Sequence, residues 1–371
     1  MCVNAKLFRV IMFAAVAAAT CAAYTHGHAV VPWRRLLRTT PVRMMPEGPE
    51  CKVHAESLHT MFAGSHELVS AAILSGRYYE GNVDANSNLQ GRPRQAGRGA
   101  PPENWAALEE LLPATVEAVS SRGKFIWWTM QGGMQQEQPW TFWSTLGMTG
   151  SWSLRRNAHS RVAIGLRAKD GHDHCNLYYN DQRNFGTLTV CIDDGKLEEK
   201  LASLGPPWLG NGADENGNGL SCDDFLEVVQ RQCKGKRSRA VAVAKFLMDQ
   251  KKTSGVGNYI LSEALYRARV WPWASCGDLS EDEWRDLHAA VANVINLSYA
   301  SQKASVVDGV STTRGNFNFR LLVYRQEMAG DERGLRVQKS EGPHGRAVFW
   351  VPQLQTRGRP PVDDQSGGAK E

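Results

Sequence analysis

The spacing of apolar residues divides the chain into three regimes. From residue 46 to about 198, short apolar runs alternate with turn-forming residues, which predicts strands after one opening helix from Glu50 to about Phe62. Lys124-Phe125-Ile126-Trp127-Trp128, Arg161-Val162-Ala163-Ile164-Gly165-Leu166 and Gly186-Thr187-Leu188-Thr189-Val190 are such runs. Between about 221 and 305 the period becomes helical. A helix over 221–233 opens with Ser221 and Asp224 in capping-box spacing. Further helices are predicted over about 239–250, 259–269 and 280–303, the second of these three carrying Ile260, Leu261, Ala264, Leu265 and Ala268 on one face. Beyond 315, the strand-like runs Phe319–Gln326 and Ala347–Leu354 flank a polar stretch and predict a β-hairpin. The Gly/Pro-rich polar stretches 84–104 and 204–219 read as a loop insertion and a linker, and the tail after 357 as disordered.

A length of 371 residues suits two or three domains. The hydrophobic fraction of 42% is that of an ordinary globular protein, and packing accounts for most of the twelve tryptophans. The net charge of +5 is misleading. Six basic residues (Lys6, Arg9, Arg34, Arg35, Arg38, Arg43) precede the first acidic one, Glu47, so the chain from Pro46 onward has 37 basic against 38 acidic residues. Affinity for a polyanion must then come from local patches. One candidate is the segment from Arg231 to Lys252, with eight basic residues against Asp249 alone.

The eight cysteines form no C-x-x-C pair and none lies beyond Cys276, which argues against a zinc ribbon and a dense disulfide framework. Asp214-x-Asn216-x-Asn218-Gly219 matches half of a calcium loop, but the twelfth position is Phe225 instead of the required glutamate, so a linker is the better reading. Residues 10–24 are apolar but too short for a membrane span, which needs about 20 residues. The basic, hydroxylated, acid-free stretch that follows is like a transit peptide. Import into a plastid or a mitochondrion is expected, or a nuclear location if translation starts at Met45.

The chemistry concentrates at Met45-Pro46-Glu47-Gly48-Pro49-Glu50, which looks like a protein start placed inside a longer chain. A proline exposed as the N-terminus carries a secondary amine able to attack an aldehyde-type carbon and form an iminium, with a carboxylate beside it. An α-amino group titrates near 7.7–8, so much of it is unprotonated at neutral pH. An internal Pro46 is an amide and can do none of this.

Seven further motifs follow in order: Arg122-Gly123-Lys124; Leu146-Gly147-Met148-Thr149-Gly150; Asn180-Asp181-Gln182-Arg183-Asn184-Phe185-Gly186; Leu204-Gly205-Pro206; Leu247-Met248-Asp249-Gln250; Gly255-Val256-Gly257-Asn258 with Glu263; and Gly345-Arg346 with Pro352 and Gln355. With these the chain from 46 to about 357 resembles the formamidopyrimidine-DNA glycosylase/endonuclease VIII family of base-excision repair enzymes. The resemblance implies an α+β multi-domain fold: a leader over 1–45, a catalytic two-layered β-sandwich with helix over 46–198, a linker over 199–219, a helix-two-turns-helix DNA-binding domain over 220–305, a finger hairpin over 306–357, and a tail over 358–371. It implies a monomer that binds damaged double-stranded DNA between its lobes, without stable membrane association.

By position, the resemblance makes Pro46 the nucleophile on the deoxyribose of a flipped-out nucleotide, and Glu47 the proton donor and shuttle. Lys124 and Arg346 would grip phosphates at the lesion. Asn258, at the start of a helix whose free N–H groups favour a phosphate, would be a further DNA contact. Met148, Arg183 and Phe185 match the residues that fill the gap left by the flipped base in the formamidopyrimidine branch. The finger departs from the bacterial pattern: the four zinc-binding cysteines are missing, and GRAVFWVPQLQ looks like a zincless finger, so no zinc is expected. The implied activity is a bifunctional DNA glycosylase/AP lyase acting on oxidised bases by β/δ-elimination. Two other readings stand beside it: a non-catalytic damaged-DNA-binding relative if the leader stays attached, and a secreted or membrane-attached protein.

Overall fold

The computed structural model describes residues 45–79, 99–132, 138–210, 219–304, 306–307, 310–311 and 320–356. The leader, the half-loop at Asp214–Asn218, most of the 84–104 insertion and the tail after Thr356 lie outside these residues.

The opening helix α1 covers Gly48–Phe62, and four-residue α2 covers Leu108–Leu111. Strands β1 (His66–Ile73), β2 (Ala114–Arg122), β3 (Phe125–Gln131), β4 (Trp140–Thr145), β5 (Gly150–Ser153), β6 (Ser160–Ala168), β7 (His174–Asp181) and β8 (Thr187–Cys191) form one antiparallel sheet in the order β5-β7-β6-β1-β2-β3-β4-β8. The sheet folds back on itself. Trp152 on β5 donates its indole N–H to the Ser144 hydroxyl on β4 (3.2 Å), and the Tyr179 hydroxyl on β7 donates to the Thr145 carbonyl (2.7 Å). Two layers result, filled by Leu68, Val116, Trp128, Phe142, Trp152 and Ile164, with Trp152 edge-on to both Trp128 and Phe142. Helix α1 lies along β2, where the Val119 N–H donates to His59 Nδ1 (3.2 Å).

Helix α3 (Asp194–Ala202) follows β8, capped by the Asp193 carboxylate on the Gly195 N–H, so the boundary expected at 198/199 falls inside a helix. The second core belongs to α4 (Cys222–Cys233), α6 (Val243–Met248), α7 (Asn258–Arg267) and α8 (Glu281–Ala304), while the short α5 (Lys236–Arg239) between α4 and α6 buries no residue. Phe225 is at its centre, packed by Trp208, Phe246, Trp284 and His288. Ser221 caps α4 as expected, accepting from the Asp224 N–H (3.1 Å). Strands β9 (Val306–Val307) and β10 (Val310–Ser311) form a short antiparallel pair.

Two sequence expectations are corrected. The helix expected over 239–250 is shortened to α6, Val243–Met248, because the backbone at its start pairs elsewhere: the Val243 N–H donates to the Ala274 carbonyl (2.8 Å) and the Cys276 N–H to the Val241 carbonyl (2.8 Å). The hairpin is built from β11 (Gln338–Glu341) and β12 (Ala347–Trp350), so its first strand is not Phe319–Gln326. That run is held by a side chain instead. The buried Glu263 carboxylate on α7 accepts the N–H groups of Leu322, Val323 and Tyr324 at 2.8–3.0 Å. Glu263→Ala would leave these donors unpaired and is expected to lower unfolding stability by about 3 kcal/mol or more, read by denaturant titration. An unchanged midpoint would show that the carboxylate holds nothing.

A second carboxylate, Asp331 (4% exposed), closes the stretch before β11 by accepting from the N–H groups of Arg333 and Leu335 and from the Tyr266 hydroxyl on α7 (2.9 Å). Helix α7 therefore anchors the finger hairpin through both Glu263 and Tyr266.

Candidate active site

Glycine packing brings the start of α1 against the turn before α7. The Gly48 N–H donates to the Gly255 carbonyl (2.9 Å), and a Cβ on Gly48 would lie 2.9 Å from the Gly255 Cα. The Glu47 carboxylate then reaches the N-terminus of α7, accepting from the Tyr259 N–H (3.0 Å) and the Ile260 N–H (3.3 Å). A Cβ on Gly257 would sit 2.2–2.3 Å from that carboxyl, so the Gly-x-Gly-Asn spacing makes room for Glu47. The helix end expected to offer free N–H groups to a phosphate is thus occupied by the protein's own carboxylate.

Glu47 is 1% exposed, and its pKa is raised from 4.5 to about 7. Burial is the largest cause; Lys124 pulls the value down, Glu50 pushes it up, and the two α7 N–H groups lower it again. Glu50 accepts from the Glu47 N–H (2.9 Å), the Tyr259 hydroxyl (3.0 Å) and the Ser298 hydroxyl (3.0 Å), and burial raises its pKa too. The site holds two desolvated carboxylates three residues apart, so a proton is easily gained near neutral pH.

Lys124 sits with Gly123 in the two-residue turn between β2 and β3. Gly123 needs its positive φ of 58°, and a Cβ there would meet Ser254 at 2.7 Å. Burial lowers the pKa of the Lys124 amine, and the Glu47 carboxylate opposes that effect.

These groups open on one cleft of about 610 Å3, which brings together Pro46, Glu47, Lys124, Met148, Phe185 and Arg346. A larger depression of about 780 Å3, at the far end of α7 around Arg267, Trp271 and Glu283, contains none of them. Met148 and Phe185 are not core residues: Met148 is half-buried and Phe185 is 54% exposed. The exposed Arg183 lies outside the cleft lining, with its guanidinium 5.0 Å from the centre of the Phe185 ring. The buried Asp181 carboxylate holds these loops, accepting from the Thr149 hydroxyl, the Arg183 N–H (3.1 Å) and the Gly186 N–H (2.8 Å). Asn258 (5% exposed) is also outside the lining. Its amide donates to the Ala347 carbonyl (2.8 Å), and its Oδ1 faces His344 Nε2 (3.1 Å).

Sequence reasoning did not assign roles to Glu50, Tyr259, Asp181 or Gln250. Gln250 fixes the turn before α7, accepting from the Gly255 N–H and donating to the Val256 carbonyl (both 2.9 Å). Glu50 carried a sequence signal, since an acid three residues after Glu47 is in capping-box register.

Residues 45–188 match the formamidopyrimidine-DNA glycosylase N-terminal domain, and residues 218–308 match the formamidopyrimidine-DNA glycosylase H2TH domain. The chain is 31% identical over 261 residues to the formamidopyrimidine-DNA glycosylase of Xanthomonas campestris, covering 67% of this chain and 85% of that protein. It is 30% identical over 248 residues to that of Thermus thermophilus, covering 65% and 82%. Its fold is similar to the crystal structure of the Lactococcus lactis enzyme bound to DNA containing N7-benzyl-Fapy-dG (TM-score 0.62, 20% identity), covering 84% of this chain and 100% of that one. The crystal structure of the Thermus thermophilus protein has a TM-score of 0.58 at 24% identity, covering 85% and 100%. The chain belongs to the formamidopyrimidine-DNA glycosylase family and is a DNA-binding glycosylase of base-excision repair.

Proposed function

We propose that the protein is a bifunctional DNA glycosylase/AP lyase that removes oxidised bases and nicks the strand through an N-terminal proline iminium. The observation that carries this reading is the buried Glu47 carboxylate, poised near neutral pH in the same cleft as Pro46 and Lys124. Once residues 1–45 are removed, the Pro46 amine attacks the sugar C1′ of a flipped-out nucleotide and the damaged base departs. Glu47 gives a proton to the ring oxygen as the sugar opens, leaving an iminium. The iminium acidifies the adjacent sugar protons, and β-elimination followed by δ-elimination breaks the strand. Met148, Arg183 and Phe185, presented together by Asp181 and Thr149, would fill the vacated stack.

Lys124 and Arg346 would hold the phosphates flanking the lesion. Lys124→Ala and Arg346→Ala are each expected to weaken binding to DNA carrying an abasic-site analogue and to reduce the salt slope by about 0.9. Titration at several salt concentrations reads this, and an unchanged slope would make both ordinary surface charges.

The finger residues do not fit a zinc ion. No cysteine follows Cys276, and the Asp331 carboxylate is already taken by two N–H groups and the Tyr266 hydroxyl. Glu263 and Asp331 do the holding that a metal would do, so the finger is proposed to fold without one. The working form is proposed to be a monomer in a plastid or mitochondrion, with the leader removed on import. If the leader stays, Pro46 remains an amide and the protein becomes a damaged-DNA binder without lyase activity. The test is incubation of the chain beginning at Pro46 with duplex DNA containing 8-oxoguanine. Base release with a nick ending in 3′ phosphate supports the reading; binding with no base release contradicts it.

A further inference from the structure

The finger turn between β11 and β12 carries Arg346 into the cleft, and it is tight: the Gly342 N–H donates to the Arg346 carbonyl (2.7 Å) and the Gly345 N–H to the Gly342 carbonyl (3.0 Å). His344 lies within it, its ring so close over Gly342 that a Cβ there would meet Cε1 at 2.6 Å and Nδ1 at 2.8 Å. The ring faces α7, with Nε2 3.1 Å from Asn258 Oδ1.

The direction of that hydrogen bond is forced. The Ala347 carbonyl can only accept, so the Asn258 group 2.8 Å from it is the NH2, which turns the amide oxygen toward His344. An oxygen acceptor requires Nε2 to carry the proton. His344 Nδ1 is enclosed and has no hydrogen-bond partner among the described residues, consistent with the neutral tautomer protonated at Nε2. Burial, followed by the nearby Arg346 charge, lowers the His344 pKa and favours that neutral form. The Ala347 carbonyl and the His344 ring thus engage the two ends of the Asn258 amide.

We infer that His344 is a positioning residue for Arg346. Through Asn258 it latches the finger turn onto the first residue of α7, the helix whose next two N–H groups hold Glu47. The phosphate-gripping cation and the proton-handling carboxylate are thereby mounted on one rigid element. Asn258 acts here as the keeper of the latch. The inference rests on the reading that Arg346 meets the DNA.

The test compares His344→Phe, which keeps a ring without a donor, with His344→Gln, whose amide can still donate to Asn258. Both are made in the full chain and in an Arg346→Ala background, and binding to abasic-analogue duplex is measured across salt concentrations. His344→Phe is expected to weaken binding about fivefold and to flatten the salt slope, within the usual range of coupling between contacting residues. His344→Gln should restore most of both, and neither substitution should add to Arg346→Ala. If Arg346→Ala changes the slope but His344→Phe does not, or if the two effects add, the latch is overturned and the Arg346 reading survives. An unchanged slope for Arg346→Ala alone would overturn that reading and the latch with it. Should the Phe variant fail to fold, His344→Asn, too short to reach Asn258, takes its place. A folded Gln variant binding no better than the variant without a donor also overturns the latch.

Discussion

Glu47→Gln is expected to cut base excision by about 10^2- to 10^4-fold, the usual worth of a positioned acid or base. The substitution keeps the shape and leaves an oxygen to accept from α7, so the fold should survive. Only the ability to give and take a proton is lost. The wild-type pH profile should report the same group. With a pKa near 7, the protonated fraction of Glu47 falls as pH rises through neutrality, so the step that needs its proton slows above about pH 7. The Gln variant should lack that limb.

Stability should move the opposite way. A carboxyl whose pKa is higher folded than unfolded contributes stability that is complete below the unfolded value near 4.5 and is lost as pH rises through about 7. Removing the charge should therefore stabilise the protein above pH 7, by up to about 3 kcal/mol, with no such gain at pH 4. Full excision activity in the Gln variant, measured by single-turnover release of 8-oxoguanine, would remove Glu47 from the mechanism.

The second large effect concerns Pro46. A chain that keeps residues 1–45 is expected to show no borohydride-trapped adduct on abasic DNA above background, whereas the chain beginning at Pro46 should trap readily. An amide nitrogen shares its lone pair with the carbonyl, and a free α-amine does not. Pro46 already lies in the cleft two residues before α1, so removing the leader exposes an amine beside Glu47 without rearranging the helix. Pro46→Gly, with its terminus free, should weaken the trap without abolishing it. Equal trapping by the leader-bearing chain would point to another amine in the same cleft, Lys124 or Lys200.

Much of this site was legible in the amino-acid sequence, because its motifs are steric requirements. Gly257 must lack a side chain for Glu47 to reach α7, and Gly123 must take a positive φ to turn Lys124 toward the cleft. What could not be read were hydrogen bonds made across long separations. The 239–250 segment has helical periodicity, yet Val241 and Val243 bond to residues more than 30 positions away, and the helix starts only at Val243. The Phe319–Gln326 run has strand composition, yet Glu263 takes the donors a neighbouring strand would have used. Two of the donors at the N-terminus of α7, the N–H groups of Tyr259 and Ile260, likewise go to Glu47, 212 residues from Tyr259. Local propensity says which conformations a segment favours. The partner that satisfies its backbone is a property of the folded chain.

The central claim is that the Pro46 nitrogen becomes bonded to the sugar of a damaged nucleotide. The direct measurement traps the reaction of the Pro46-initiated chain with 8-oxoguanine duplex using borohydride, digests the adduct and locates the sugar remnant by mass spectrometry. The remnant is predicted on the N-terminal peptide, at the nitrogen of Pro46. A remnant on a lysine, or no adduct from a chain that binds the same DNA, would contradict it.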